Sequence, residues 1–177
     1  MVKASIGSLI ALLLLGVSAI WPRPWPPETK IIPNRPQAGS ATYVTNNTQG
    51  PFDGAKASLI NATNIEWWYF DACSEDGKQG VAAWMFTTNP LALGQNFTEV
   101  DFILFHARFA DGTGMNAFIP SEGLVVQTVG EGSSGFYGGI GSGWVGAPDL
   151  SAYSFFFDAQ EAGVSGSVYI NSVGTIL

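Results

Sequence analysis

Charge is scarce in this chain. Only 12% of its 177 residues are Asp, Glu, Lys or Arg, and no run of Lys or Arg exists that could track a phosphate backbone. The formal net charge of -7 therefore rests on few groups, and no nucleic-acid partner is expected. Cysteine and histidine are scarcer still, with one of each, Cys73 and His106. One cysteine closes no internal disulfide, so the fold must rest on its core. Such a lone cysteine beside an aromatic run is expected to pack as a small buried hydrophobe. One His and one Cys make no familiar zinc set, and the scattered carboxylates lack calcium-loop spacing, so no metal is expected. "GSGWVG" at 141–146 matches a dinucleotide fingerprint in form only. It does not lead from a strand into a helix, and Pro148 follows at once, so the stretch reads as flexible hairpin backbone and no cofactor is expected. Sustained helical periodicity is missing from the chain beyond its first twenty residues.

What the chain has in quantity is apolar and turn-forming material. Hydrophobic residues make up 46% and aromatics 13%, with 22 glycines and 10 prolines, which describes a globular, turn-rich domain. Lys3 precedes the apolar run Ile6–Ala19, "IGSLIALLLLGVSA", which ends on small residues. This is the pattern of a secretory signal peptide over 1–19, and it is shorter than the roughly 20 residues of a bilayer span, so no stable membrane anchor is expected. Glycosylation acceptors at Asn46, Asn61 and Asn96 agree with passage through the secretory pathway, to the exterior or a lumen.

Residues 20–38 are dense in proline, "WPRPWPPETKIIPNRP" at their centre, and predict an extended arm rather than a helix or central strand. From 39 to 177 short apolar runs alternate with Gly, Asn, Asp and Pro. The spacing predicts strands over 41–45, 65–72, 80–87, 98–109, 114–119, 123–129, 143–145, 153–158 and 163–171. Many short strands without helices define an all-β fold, an antiparallel β-barrel or β-sandwich that can enclose one small ligand. The apolar ending "GVSGSVYINSVGTIL" reads as though a further element were due, so a shortened chain is expected.

One stretch carries the chemistry. In "NATNIEWWYFDA" (61–72), strand alternation puts Ile65, Trp67 and Tyr69 on one face and Glu66, Trp68 and Phe70 on the other. Neither face is a plain polar exterior. A carboxylate amid aromatics either takes a cation such as Arg108 or backbone N–H groups as partners, or has its pKa raised by apolar surroundings and donates a proton to a substrate. In "DFILFHARFADG" (101–112), Phe102, Leu104, His106 and Arg108 share a face. His106 is the one side chain whose ordinary pKa lies near neutrality. Its alternative is a hydrogen-bonded structural role. The aromatics, Trp84 and Trp144 among them, are core material first and pocket lining second.

The segment "NIEWWYFDACSEDGKQGVAAWMFTTNPLALG" resembles the N-terminal signature of the hydroxyneurosporene synthase (carotenoid 1,2-hydratase) and AttH-like lipocalin superfamily, in particular its fungal members. The likeness spans about 61–112, with Glu66–Asp71 its most specific part. It implies a lipocalin-like domain, the N-terminal of two, in a protein about twice as long. It also implies a pericyclase of secondary metabolism, of the kind that forms decalins or performs hetero-Diels-Alder steps in tropolone sesquiterpenoid assembly. On that reading Glu66 and His106 are catalytic, and Trp68, Tyr69, Phe70, Trp84, Phe102 and Arg108 bind an apolar, conjugated terpenoid or polyketide substrate. A terpenoid hydratase or isomerase, and a non-catalytic binder of apolar ligands, are the alternatives. Self-association stays open.

Overall fold

The computed structural model describes residues 25–44, 50–61 and 64–173. The expected signal peptide and the Asn46 acceptor lie outside them. Ten strands form within the described residues: β1 (Glu28–Pro33), β2 (Ile65–Cys73), β3 (Gly80–Thr88), β4 (Asp101–Arg108), β5 (Gly114–Pro120), β6 (Gly123–Val129), β7 (Gly132–Tyr137), β8 (Ser142–Gly146), β9 (Ala152–Ala159) and β10 (Val164–Asn171). Two short 3-10 turns, Pro90–Leu93 and Gln160–Ala162, are the only helical elements among them.

Every pairing is antiparallel; β2 to β5 and β6 to β10 are neighbours in chain order, β1 pairs with β6, and the strands make two sheets. One has the order β2-β3-β4-β5 and the other β1-β6-β7-β8-β9-β10. The chain crosses from the first to the second at Ser121–Glu122. No ladder joins the sheets among the described residues, so of the two all-β forms expected, this is the sandwich. Alternation decides what lies between them. Trp68, Phe70, Met85, Ile103 and Phe105 of the four-stranded sheet face Leu124, Val126, Trp144, Phe155 and Phe157 of the other. Each such side chain contributes about 1.5–3 kcal/mol by leaving water.

Trp144 is fully buried at the centre, its ring 4.5 Å from that of Trp68. Its indole lies over Gly135, its partner on β7, where an added Cβ would come within 2.1 Å of the ring. The glycine-rich segment that reads as flexible hairpin backbone is thus the β7–β8 hairpin, and Gly135 is the space the indole occupies.

The proline-rich segment supplies β1, which pairs along β6 as the edge of the larger sheet, with Ile32 buried and Pro33 at its end. Asn34 then ties this edge to the other sheet. Its Oδ1 accepts from Val100 N at 2.6 Å and Asp101 N at 3.0 Å, and its Nδ2 donates to Ser121 O. In place of the strand expected at 41–45, the described residues show a single bridge, Tyr43 with Ala57. Cys73, expected to be buried, is exposed at the end of β2, because odd-numbered residues of that strand point away from the core.

Candidate active site

The segment Pro51–Ala57 is fastened to both sheets. On the side of the larger sheet, Asp53 Oδ2 accepts from Ser133 Oγ at 2.6 Å and from the Tyr153 hydroxyl at 3.1 Å. Ser133 Oγ in turn accepts from Trp144 Nε1 at 3.1 Å, so this carboxylate is anchored to the core tryptophan. Trp68 Nε1 donates to Asp53 O at 3.1 Å. On the side of the smaller sheet, Glu66 accepts from two successive backbone N–H groups: Lys56 N donates to Oε1 and Ala57 N to Oε2. Between the segment and β2 lies an open groove of about 520 Å³. Its apolar walls come from Tyr43, Phe52, Ile65, Trp67 and Trp68, and its polar groups from Asp53, Lys56 and Glu66.

The electrostatics follow from burial. Glu66 is 8% exposed, and loss of water raises its pKa, against the lowering effect of the two backbone N–H groups and of Lys30 and Lys56. Desolvation raises the pKa of Asp53 too, partly offset by its hydroxyl donors and Lys56. Lys30, on β1, has its pKa lowered by burial, with Glu66 and Glu28 acting in the opposite sense. The groove thus presents two carboxyls moved toward the protonated form beside the Lys56 ammonium, whose Nζ donates to Pro51 O. Such groups can donate a hydrogen bond or a proton to an oxygen of a bound molecule.

The expected site residues divide between the two faces of the smaller sheet. Glu66 and Trp68 meet in the groove, and Phe70 lies deeper on the same face, stacked on Phe155 at 5.4 Å. Glu66 uses backbone N–H partners rather than Arg108. Tyr69, Trp84, Phe102, His106 and Arg108 occupy the outer face. There Tyr69 and Trp84 lie 5.0 Å apart, and His106 sets its ring edgewise to Trp84 at 5.0 Å. Phe102 is covered on that face by Phe86, Phe97 and Phe118. Glu66 pairs with Thr87 and His106 with Ala82 on β3. Five residues of strand, about 17 Å, and the thickness of the sheet therefore separate the two. The structure brings Glu66 together with Trp68, not with His106.

Sequence reasoning missed Asp53 and Lys56. Both lie in "PFDGAKAS", whose Asp-Gly pair signals a turn and nothing more, and only the fold sets that turn against Glu66. Among the described residues, no cluster of three or more His, Cys, Asp or Glu is placed to hold a metal ion.

A two-sheet antiparallel domain with an aromatic-walled, acid-bearing groove belongs to the class of β scaffolds that hold a small apolar molecule against a few directed polar groups. Within that class the chain belongs to the Diels-Alderase-like family, which matches residues 31–175. It is 30% identical over 117 residues to the quinolone epoxide rearrangement protein asqO of Emericella nidulans, a match covering 64% of this chain and 32% of that protein. Its fold is similar to the crystal structure of CghA, with a TM-score of 0.65 and 23% identity over 82% of this chain and 40% of that one. A structure of CghA with Sch210972 gives a TM-score of 0.57 and 22% identity, covering 81% and 36%. The chain thus spans about a third of the length of its curated relative and about two fifths of the solved chains.

Proposed function

We propose that this chain carries the acid-bearing groove of a pericyclase-type enzyme of fungal secondary metabolism, acting on an apolar, conjugated small molecule. The observation that carries the reading is the placement of a buried Glu66, its pKa raised by loss of water, beside Trp68 in an open groove that Trp67 also lines. Family membership and the likeness to asqO support it. A pericyclic step needs little covalent machinery. Holding two reacting π systems face to face supplies most of the acceleration, and the rigid aromatic wall does this. A hydrogen bond from the Glu66 carboxyl to a carbonyl or departing hydroxyl, strengthening as charge develops, adds the electrostatic part.

In its finer form the reading is a hetero-Diels-Alder reaction of a tropolone-type substrate preceded by dehydration. The Glu66 O–H gives its proton to a benzylic hydroxyl, the C–O bond breaks and water leaves with the electron pair. The ring hydroxyl loses its proton and becomes the carbonyl of a quinone methide. That released proton returns to Glu66, so the step balances, and cycloaddition to a terpenoid alkene follows. Passage through the secretory pathway is part of the proposal, and the exposure of Asn96 in the loop before β4 supports it.

The test is turnover of a benzylic-alcohol precursor by wild type and by Glu66→Gln, with retained folding checked by circular dichroism. The expected result is a fall in dehydration of roughly 100-fold or more, as for loss of a general acid. Unchanged dehydration by Glu66→Gln would remove Glu66 from the mechanism.

A further inference from the structure

Behind the groove lies a second carboxyl that the proposed chemistry does not use. Glu66, Thr87 and Asp101 are direct cross-strand partners on β2, β3 and β4, so all three side chains enter the sandwich in one row. Thr87 and Asp101 are fully buried. Both carboxyl oxygens of Asp101 and the hydroxyl of Thr87 lack hydrogen-bond partners. The Thr87 hydroxyl is near enough to lower the Asp101 pKa somewhat, yet does not reach hydrogen-bond geometry. From the opposite sheet, Tyr137 lies within electrostatic reach of both carboxyls, its own hydroxyl given to Phe86 O at 3.0 Å.

Three adjoining buried polar atoms with no protein partner are groups that an internal water would satisfy, because a buried carboxyl without hydrogen bonds is costly and such a water needs a few polar partners. The row also has direction. One end, Glu66, opens on the groove; the other, Asp101, is closed off by Asn34 and Ser121, which bond to its backbone.

We infer that Asp101, Thr87 and Glu66 bound an internal water-binding row through which Asp101 resupplies Glu66 with a proton. The inference rests on the reading of Glu66 as the acid of the groove. When Glu66 has given up its proton, the O–H bond of Asp101 breaks, its proton passes to a water at Thr87, and that water releases a proton to Glu66. Asp101 is left as carboxylate; as the proton released by the substrate arrives at Glu66, Glu66 passes one back along the row, and Asp101 is protonated again. Asp101 suits this role because burial raises its pKa to about 7, so it holds a proton yet yields one near neutrality. The charged or titratable groups facing the row are Glu66 from β2, Tyr137 from β7, Lys30 from β1 and Lys56 from the segment beside the groove. On β4 itself, His106 and Arg108 point to the opposite face.

Asp101 is a positioning residue in this scheme, and its test needs a readout that loss of packing would not move. Carbon-13 spectra of the side-chain carboxyls, followed from pH 4 to 9, supply it. Glu66 is expected to titrate in two steps, the second coinciding with Asp101, and in Asp101→Asn that second step disappears. Thr87→Val, which keeps the shape but not the hydroxyl, is expected to lower kcat for dehydration about tenfold with KM unchanged. A high-resolution crystal structure is expected to show ordered water between Asp101 and Thr87. A single-step Glu66 titration that Asp101→Asn leaves unaltered overturns the inference, as does a dry row. If the coupled titration is present while Glu66→Gln leaves dehydration intact, the proposed function fails and the water row stands. If Glu66→Gln abolishes dehydration while the titrations are independent, the row fails and the function stands.

Discussion

Three buried or partly buried carboxyls, Asp53, Glu66 and Asp101, share one direction of shift, since for each the loss of water outweighs the donors nearby. The consequence for stability has a definite sign. A carboxyl whose folded pKa lies above its unfolded value favours the folded state fully below about pH 4, and that contribution is lost as pH rises through the folded pKa. For Asp101 the window runs from the ordinary carboxylate range up to about 7. The protein should therefore be more stable at pH 5 than at pH 8, by an amount bounded by roughly 3 kcal/mol for this one fully buried group. Asp101→Asn should remove most of that slope, which denaturant melts at the two pH values would read directly. A slope unaltered by the substitution would mean that the Asp101 carboxyl ionises without penalty. At this scale the sequence disclosed Glu66, because a carboxylate flanked by aromatics on a strand must have partners or a shifted pKa. Asp53 and Asp101 stayed hidden. Their burial depends on which strands lie across from them, and register is not written in either segment alone.

At the scale of elements, alternation served well. Along β2 it separates Glu66, Trp68 and Phe70 from Trp67 and Tyr69, as Ile65–Cys73 displays. Two strands escaped notice. β1 is bounded by prolines, which argue against a central strand but permit an edge, and an edge is where it lies. β7, "GSSGFY", has almost no apolar signal, because Gly135 faces an indole from the next strand rather than supplying a side chain of its own. Gly135→Ala should consequently destabilise the protein by about 1–3 kcal/mol or more through overpacking, seen as a Tm lowered by several degrees. An unchanged Tm would show that Trp144 can leave the Gly135 face freely. Asn34→Ala would strip Val100 N and Asp101 N of their acceptor, at about 1–3 kcal/mol for each donor left buried. Amide exchange at these two positions should rise in the variant; protection as strong as in wild type would contradict that accounting.

For the whole molecule, the all-β class followed from the number and spacing of short apolar runs, while the division into two sheets did not. Which strands share a sheet is settled by the crossing at Ser121–Glu122 and by the return of β1 to the edge of β6, both contacts between distant parts of the chain. The groove is a product of the same long-range order, since Pro51–Ala57 must reach across both sheets to face Glu66. A ligand there would touch Trp67, which is 51% exposed, and the buried Trp68. Tryptophan fluorescence should then respond saturably to a conjugated apolar ligand, and Trp67→Ala should weaken binding about tenfold or more if the exposed ring stacks on it. The same affinity in Trp67→Ala would place the ligand elsewhere.

The proposed role of the Glu66 groove is control of a cycloaddition. Its most direct test is a chiral chromatographic and mass comparison of metabolites from the producing organism carrying the natural gene, the gene with Glu66→Gln, and no gene. One cycloadduct stereoisomer is expected with the natural gene, and in the other two strains its replacement by mixed isomers, uncyclised precursor and water adducts. The same metabolite profile in all three strains would contradict it.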